Sequence, residues 1–596
     1  MSTSQKKRKS QSLLNGAMVL AVTTVLVKII GILYKVPISN AVGAVGRGCF
    51  DSAYNLYIPI YTLSMAGLPV AVSKMVSQQV ALGRFRDAKQ VFHVAARLFL
   101  LTGTIGTVVM LAFAYPYAFF AKNLEAIPSI LAITPSIFFC CVMSIYRGYY
   151  NGMRNMTPTA ISQVIEALGK VVVGLLCANL AMRYGISRFE AGLPVYGHIV
   201  ETEAEAMSHI YPYAAAGAAI GVTAGTIVGM IYMMLLHKIK GDGITNSELA
   251  ASPEPIENKA IAKSLVAVAI PVVASSLVFS ITNLIDSITV QNRLNTMILS
   301  NMDYIKSVYG SQLLASQILD QDIAKYLYGA YSMSLEFKNL IPSITMSLGV
   351  SAIPALSAAW AVKDHKSLKT SIESVLRVTL MISLPAGFGM AVLATPILDM
   401  MFSTGKSAPA ISTAAPIMAA YGYTAFLMAL SQPMTNMLQA IGKENVPVKS
   451  LTLGAVAKVI ANYIFIGIPT LNINGAVLGT VICYTIIVVY NYIALVRATK
   501  VHINFKSVFI KPLFASILST VGAYVSYGLC MHFIPNLQRG NFSVTNLLSA
   551  AIAILFAVLI YGIAMLLIGG IAKDDVLMLP KGEKIAKKLA KYGFIE

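Results

Sequence analysis

Hydrophobic residues in this chain come in long runs with short polar breaks, instead of the alternation of strands or the single apolar stripe of a surface helix. About 20 apolar residues suffice for a helix to cross a bilayer. Fourteen such runs are legible, approximately 13–36, 52–76, 91–119, 127–150, 158–182, 212–237, 261–290, 327–358, 370–396, 410–440, 447–469, 474–497, 507–534 and 543–571. The pattern predicts an all-α polytopic membrane protein of about 14 transmembrane helices. An even count puts both ends on the same side.

Composition agrees with the pattern. Mean hydropathy is +0.71, 57% of residues are hydrophobic and only 12% are charged, about half the charge that a soluble fold carries on its surface. The net charge of +20 would suit nucleic acid, but its placement argues against that partner. Lys6 to Lys9, Arg84 and Arg86, Arg147 and Arg154, Lys238 to Lys263, Lys363 to Lys369, Lys443 and Lys449, Arg497 to Lys511, and the tail from Lys573 all fall on one side. They hold more than half of the 45 basic residues, which predicts cytoplasmic termini in a cell membrane and lipid head groups as acidic neighbours. Basic residues before the first run imitate a signal peptide, but no small-residue cleavage site follows and the run is long. The first run is expected to be a retained helix.

The chain echoes itself. Gly152, Pro158 and Lys170 are spaced by six and twelve residues, while Gly442, Pro447 and Lys458 are spaced by five and eleven. Ile58-Pro59 with Leu68-Pro69 is matched by Ile341-Pro342 with Ile353-Pro354. Each later copy lies six helices downstream, as in a parallel repeat. The expected architecture is two six-helix lobes in a V-shaped bundle plus two C-terminal helices: a basic cytoplasmic N-terminus (1–12), an N-lobe (13–237), a cytoplasmic linker (238–260), a C-lobe (261–497), helices thirteen and fourteen (507–571) and a basic tail (572–596).

Intramembrane charge is where function is expected. A lysine deep in a span costs roughly 2.5 to 3.5 kcal/mol on insertion scales, so it is kept where it meets water or a partner. Lys28 lies inside the first run, and Lys35 shares its face seven residues on. Lys170 and Lys458 each fall roughly 16 to 18 Å in from the cytoplasmic side, at related places in the repeat. Together these lysines are expected to line one cavity. Lys28 and Lys458, with no acidic residue four positions on, are the leading candidates; the other two have blander alternatives. Lys35 can snorkel to the interface before Pro37, and Lys170 can pair with Glu166 four residues earlier. Arg47 is a further candidate for the substrate, though Asp51 four residues on makes a local ion pair available. Asp286, Glu336 and Lys338, near outer helix ends, are candidates for coupling or gating, and so is Glu166. Arg147 and Arg154 are read as topology residues, and the tyrosines at 54, 57, 61, 146, 149 and 150 as interface belts more than sugar platforms.

No enzyme constellation is present: there is no Walker A sequence, no G-x-S-x-G, no H-E-x-x-H and no large soluble domain. The six cysteines form no C-x-x-C pair and the seven histidines no metal spacing. The reading is a transporter without cofactor or metal site, in which coupling to membrane potential, Na+ or H+ stays open.

The stretch Val27-Lys28-Ile29-Ile30-Gly31-Ile32-Leu33-Tyr34-Lys35-Val36-Pro37, with Val42-Gly43-Ala44-Val45-Gly46-Arg47-Gly48, Tyr54-Asn55-Leu56-Tyr57, Ala66-Gly67-Leu68-Pro69-Val70 and Tyr146-Arg147-Gly148-Tyr149-Tyr150, resembles the stage V sporulation protein B branch of the polysaccharide exporter families. That branch is related to the MurJ lipid II flippases and, more distantly, to multidrug and toxin extruders. The resemblance implies a monomeric flippase for an undecaprenyl-diphosphate-linked glycan, with proteins of envelope synthesis as candidate partners. It also implies that Lys28 and Lys35 occupy the first-helix basic positions that meet the diphosphate. Where MurJ proteins carry paired arginines in the second helix, this chain has Thr62-Leu63-Ser64-Met65, so the glycan on the lipid stays open. The competing functions are a cation-coupled extruder of small molecules and a non-transporting scaffold.

Overall fold

The computed structural model describes residues 13–571 apart from positions 66, 344, 346–355, 357, 358, 361, 404, 444, 540 and 541. Eleven helices among the described residues are long and apolar enough to cross a membrane. The described fold is nearly all helical, with one two-stranded ribbon at Gln538–Arg539 and Phe542–Ser543. The expected spans 13–36, 261–290 and 327–358 include residues outside the description. The basic ends, 1–12 and 572–596, lie outside it altogether.

The chain divides into two compact units, Met1–Asn292 with Gln317–Lys325, and Arg293–Ser316 with Tyr326–Glu596. The first opens with α1, Leu13–Met65, which is continuous except at Gly43. There φ is 66° and ψ is −177°, a region open essentially to glycine alone. A straight helix would separate Tyr34 from Phe50 by roughly 24 Å at 1.5 Å per residue. Their ring centroids lie 6.3 Å apart, so the chain folds back at Gly43. The sequence reading expected an external loop between about 37 and 51; one glycine does that work within helix on both sides.

Next come α2 (Leu68–Ala81), α3 (Phe85–Phe120), α4 (Ile127–Ile133), α5 (Pro135–Gly152), α6 (Thr157–Glu190) and α7 (Glu203–Lys240). Thr202 and Glu205 form a reciprocal capping box that starts α7, whose first turn also carries Glu203. Gly217, Gly221 and Gly225, at four-residue spacing, let α7 lie against α6 backbone to backbone, and Gly229, four further on, makes room for the Met143 side chain of α5. A Cβ at Gly225 would sit 2.5 Å from the Glu166 carbonyl oxygen, and one at Gly221 would sit 2.6 Å from that of Lys170.

The segment 238–260, expected to be a cytoplasmic linker, is tied to the rest of the first unit. Arg86 donates through Nε to the Leu249 carbonyl (2.9 Å), the Ile256 amide donates to Asp87 (2.7 Å), and Lys89 pairs with Asp242 (3.2 Å). Buried Asp87 also pairs with Arg84. Short helix α8 (Asn246–Ala250) lies in this segment, and α9 (Asn258–Ser300) follows it.

The second unit holds α10 (Met302–Ala315) and most of α11 (Ile323–Lys338). It continues through helices His365–Val392, Ala394–Phe402, Ile411–Ala440, Asn445–Ile466, Gly475–Thr499, Lys511–Phe533 and Val544–Leu567. Asp364 caps the helix His365–Val392 by accepting from the Lys366 and Ser367 amides. The last two helices pack on each other, with Ser519 Oγ donating to the Ala557 carbonyl at 2.7 Å.

Candidate functional site

Lys170 reaches its surroundings because three elements of the first unit converge on it. The glycine contacts of α7 fix the α6 backbone on either side of it. The fold-back at Gly43 then brings Tyr34 and Tyr54, twenty residues apart on α1, to the same ammonium group. Lys170 Nζ lies 4.7 Å from the Tyr34 ring centroid and 5.0 Å from that of Tyr54, and it donates to the Tyr54 hydroxyl at 3.1 Å. Tyr34 is fully buried and donates to the Ala218 carbonyl at 2.6 Å, which pins α1 to α7. Cation–π contacts contribute about 0.5–2 kcal/mol each, the upper end applying when the cation is desolvated.

Glu166, four residues before Lys170, does not pair with it. Its Oε2 accepts from Arg147 Nη2 at 2.8 Å, while Arg147 Nε donates to Ser162 Oγ at 2.8 Å. The α5–α6 packing that presents Arg147 outcompetes the i,i+4 contact along α6. Among the described residues no carboxylate lies within ion-pair distance of Lys170. Gln163, next to these charges, buries an Oε1 that has no hydrogen-bond partner among the described residues.

These residues enclose a cavity of about 320 Å³, walled by Ile30, Gly31, Tyr34, Tyr54, Arg147 and Lys170 among others. A Cβ added at Gly31 would meet nothing within 4 Å, so this glycine faces open space. A second cavity of about 270 Å³ shares Tyr54, Glu166 and Lys170 with the first. A cationic patch with one committed carboxylate, polar rims and aromatic walls suits an anionic ligand, and two carboxylates for acid–base chemistry are not assembled here.

The expected residues are distributed as follows. Lys170 and Glu166 are in the cavity. Lys28 and Lys35 lie on helical backbone, but their side chains fall outside the described residues. Arg47 is 1% exposed, pairs with Asp51 and donates to Ser39 at 3.1 Å, and does not line the cavity. Asp286 is half-buried on α9. In the second unit Lys458 is 5% exposed, Glu336 is half-buried, and Lys338 lies 5.0 Å from the Tyr421 ring centroid.

Two readings are corrected. Arg147, taken from sequence as a topology residue, lines the cavity and holds Glu166. Tyr54, Tyr57 and Tyr61 line cavities, and Tyr149 and Tyr150 are buried; lipid-facing belts would be exposed. Sequence signals for both exist: Ser162 and Glu166 sit four apart, ready to receive an arginine, and the glycine run on α7 marks a helix pair in close contact.

A family model described as "Lipid II flippase MurJ" matches residues 85–552. The chain is 25% identical to the lipid II flippase MurJ of Bacillus subtilis (strain 168) over 82% of its own length and 83% of the relative's. It is 23% identical to the stage V sporulation protein B of the same organism, over 87% and 91%. Among solved structures, a lipid II flippase MurJ in an inward closed conformation aligns with a TM-score of 0.58 at 16% identity, over 92% of this chain and 98% of that one. An inward-facing multidrug resistance MATE family transporter of the MOP superfamily aligns with a TM-score of 0.57 at 14% identity, over 81% and 99%.

Proposed function

The chain belongs to the lipid II flippase MurJ family, and on that premise we propose that it carries a lipid-linked glycan diphosphate from the inner to the outer leaflet of the cell membrane by alternating access, with both termini in the cytoplasm. The cavity of the first unit is the seat for the diphosphate, with Lys170 as its principal cation and Arg147 beside it. Lys28 and Lys35 are further cations offered to the cargo. Asp286, Glu336 and Lys338 are assigned to coupling or gating, with membrane potential, Na+ or H+ as the source of drive.

One observation carries this reading: Lys170 is held by ring faces and a hydroxyl, not by a carboxylate, while Glu166 is committed to Arg147. A cation kept at mid-membrane depth without a counter-ion is poised for an arriving anion. At an effective dielectric near 20 and 4 Å separation, each cation would attract a phosphate charge by about 4 kcal/mol. That is enough to offset part of the desolvation of a diphosphate and weak enough to permit release. The same patch repels the cationic cargo of a drug extruder.

The test is a flipping assay in vesicles with the purified protein and a fluorescent polyprenyl diphosphate glycan. Lys170→Ala is expected to slow flipping at least tenfold. Gly31→Leu, whose Cβ would meet nothing within 4 Å and whose branch would occupy the cavity, is expected to slow it comparably while the protein stays folded. Wild-type rates in both variants would overturn the assignment.

A further inference from the structure

The second cavity, about 270 Å³ beside the Lys170 site, has an occupant still to be assigned. One of its walls is a ladder on α1. Tyr54, Tyr57 and Tyr61 follow each other at three- and four-residue spacing, so they share a helical face. Their ring centroids are 5.6 and 5.2 Å apart, with planes tilted by 58° and 31°. Tyr57, the middle rung, is 5% exposed, whereas Tyr54 and Tyr61 are half-buried and present surface to the space. The polar part of the lining is Lys170 and the carboxylate of Glu166 on α6, with the Thr62 hydroxyl of α1, which lies 3.3 Å from Ser280 Oγ; Ile58, Cys140 and Val222 complete the enclosure.

Those two parts suit one kind of chemistry. A pyranose ring has a face of C–H groups that packs on aromatic faces and a rim of hydroxyls that pairs with carboxylates and hydroxyls. A hydrocarbon chain would satisfy the tyrosines but desolvate Glu166, Lys170 and Thr62 while offering nothing to the hydrogen-bonding capacity they keep beyond Arg147, the Tyr54 hydroxyl and Ser280. Water alone would satisfy the polar part and waste the aromatic one. At about 30 Å³ per water the space corresponds to roughly nine waters, a volume that takes a sugar ring. Connectivity points the same way, because the first sugar of a lipid-linked glycan is bonded directly to the diphosphate. A cavity that shares Lys170 with the diphosphate seat is where that sugar would lie.

Resting on the diphosphate reading above, we propose that the tyrosine-walled cavity is the subsite for the first sugar of the cargo, with Tyr61 packing on the sugar face and Glu166 and Thr62 receiving its hydroxyls. The site therefore selects for a glycan on the lipid and not only for the diphosphate.

Binding in nanodiscs of two probes, bare polyprenyl diphosphate and the same lipid carrying a single hexosamine, tests this. Tyr61→Leu keeps apolar volume and removes the ring; it is expected to weaken the hexosamine-bearing probe about tenfold and leave the bare one unchanged. Tyr61→Phe, which keeps the ring, should stay within about threefold of wild type for both. Equal effects of Tyr61→Leu on the two probes, or none on either, would overturn the subsite. Lys170→Ala separates the two layers of the argument, since it is expected to weaken both probes. Failure of Lys170→Ala to weaken either one would sink the diphosphate seat, whatever Tyr61→Leu does.

Discussion

Lys170 and Lys458 lie twelve and eleven residues beyond a proline at a helix start, the spacing that reads as an echo in the sequence, yet their surroundings differ. Lys170 borders two cavities and leans on tyrosine rings. Lys458 is 5% exposed on a helix that packs closely against Gly475–Thr499, where a Cβ at Gly454 would fall 3.0 Å from the Cys483 carbonyl oxygen. Polar burial continues on that second helix: Asn491 is fully buried, and its amide atoms have no hydrogen-bond partner among the described residues. A repeat preserves where a charge sits along its helix. It does not preserve what stands across from it. In the first unit α1 doubles back at Gly43 and lays two tyrosines beside the lysine, leaving space; Lys458 is buried on a helix in close contact with its neighbour.

The largest expected effect comes from breaking the scaffold on the Lys170 side. Gly225→Leu would drive a Cβ to 2.5 Å from the Glu166 carbonyl oxygen and 2.8 Å from the Lys170 amide nitrogen, so α6 and α7 must separate. We expect loss of transport and a thermal unfolding midpoint in detergent lower by many degrees. A variant with the wild-type midpoint would mean that the helix contact does not set the position of Lys170.

A smaller effect separates the two lysines directly. Lys170→Met should slow flipping tenfold or more, equivalent to about 1.4 kcal/mol, while shifting the unfolding midpoint little, because the side chain borders open volume. Lys458→Met should do the reverse. Removing a buried ammonium leaves its surroundings uncompensated, so the midpoint should fall while the rate per folded molecule changes less. Equal losses of rate in the two variants would erase the contrast and favour equivalent roles.

The contrast also shows how far the sequence could be read. Apolar runs of bilayer length announce spanning helices, and counting from Pro158 puts Lys170 three turns into its helix, because one-dimensional periodicity and rise carry that information. The partners of Lys170 were not legible in the same way. Glu166 at i−4 was the local candidate, but Arg147, nineteen residues earlier, took it through α5–α6 packing. Tyr34 and Tyr54 converge only because Gly43 adopts a conformation that no periodicity encodes. Cavities are still harder to foresee, since they are what remains when long-range packing is complete. The glycines at 217, 221, 225 and 229 were visible in the sequence all along, as a mark of the helix pair that carries the site.

The finest test of the contrast is Tyr54→Phe. It deletes the hydroxyl that accepts from Lys170 Nζ at 3.1 Å and keeps the ring 5.0 Å from it. A single hydrogen bond of this kind has a net worth of about 0.5–1.5 kcal/mol, and more when one partner is charged. If the hydroxyl only holds the ammonium in place, flipping should fall by no more than about fivefold, well short of Lys170→Met, because the ring face still restrains the cation. A loss as large as that of Lys170→Met would show that the hydroxyl itself meets the cargo, making Tyr54 a ligand and not a support. No loss at all would assign the positioning of Lys170 to the two ring faces alone.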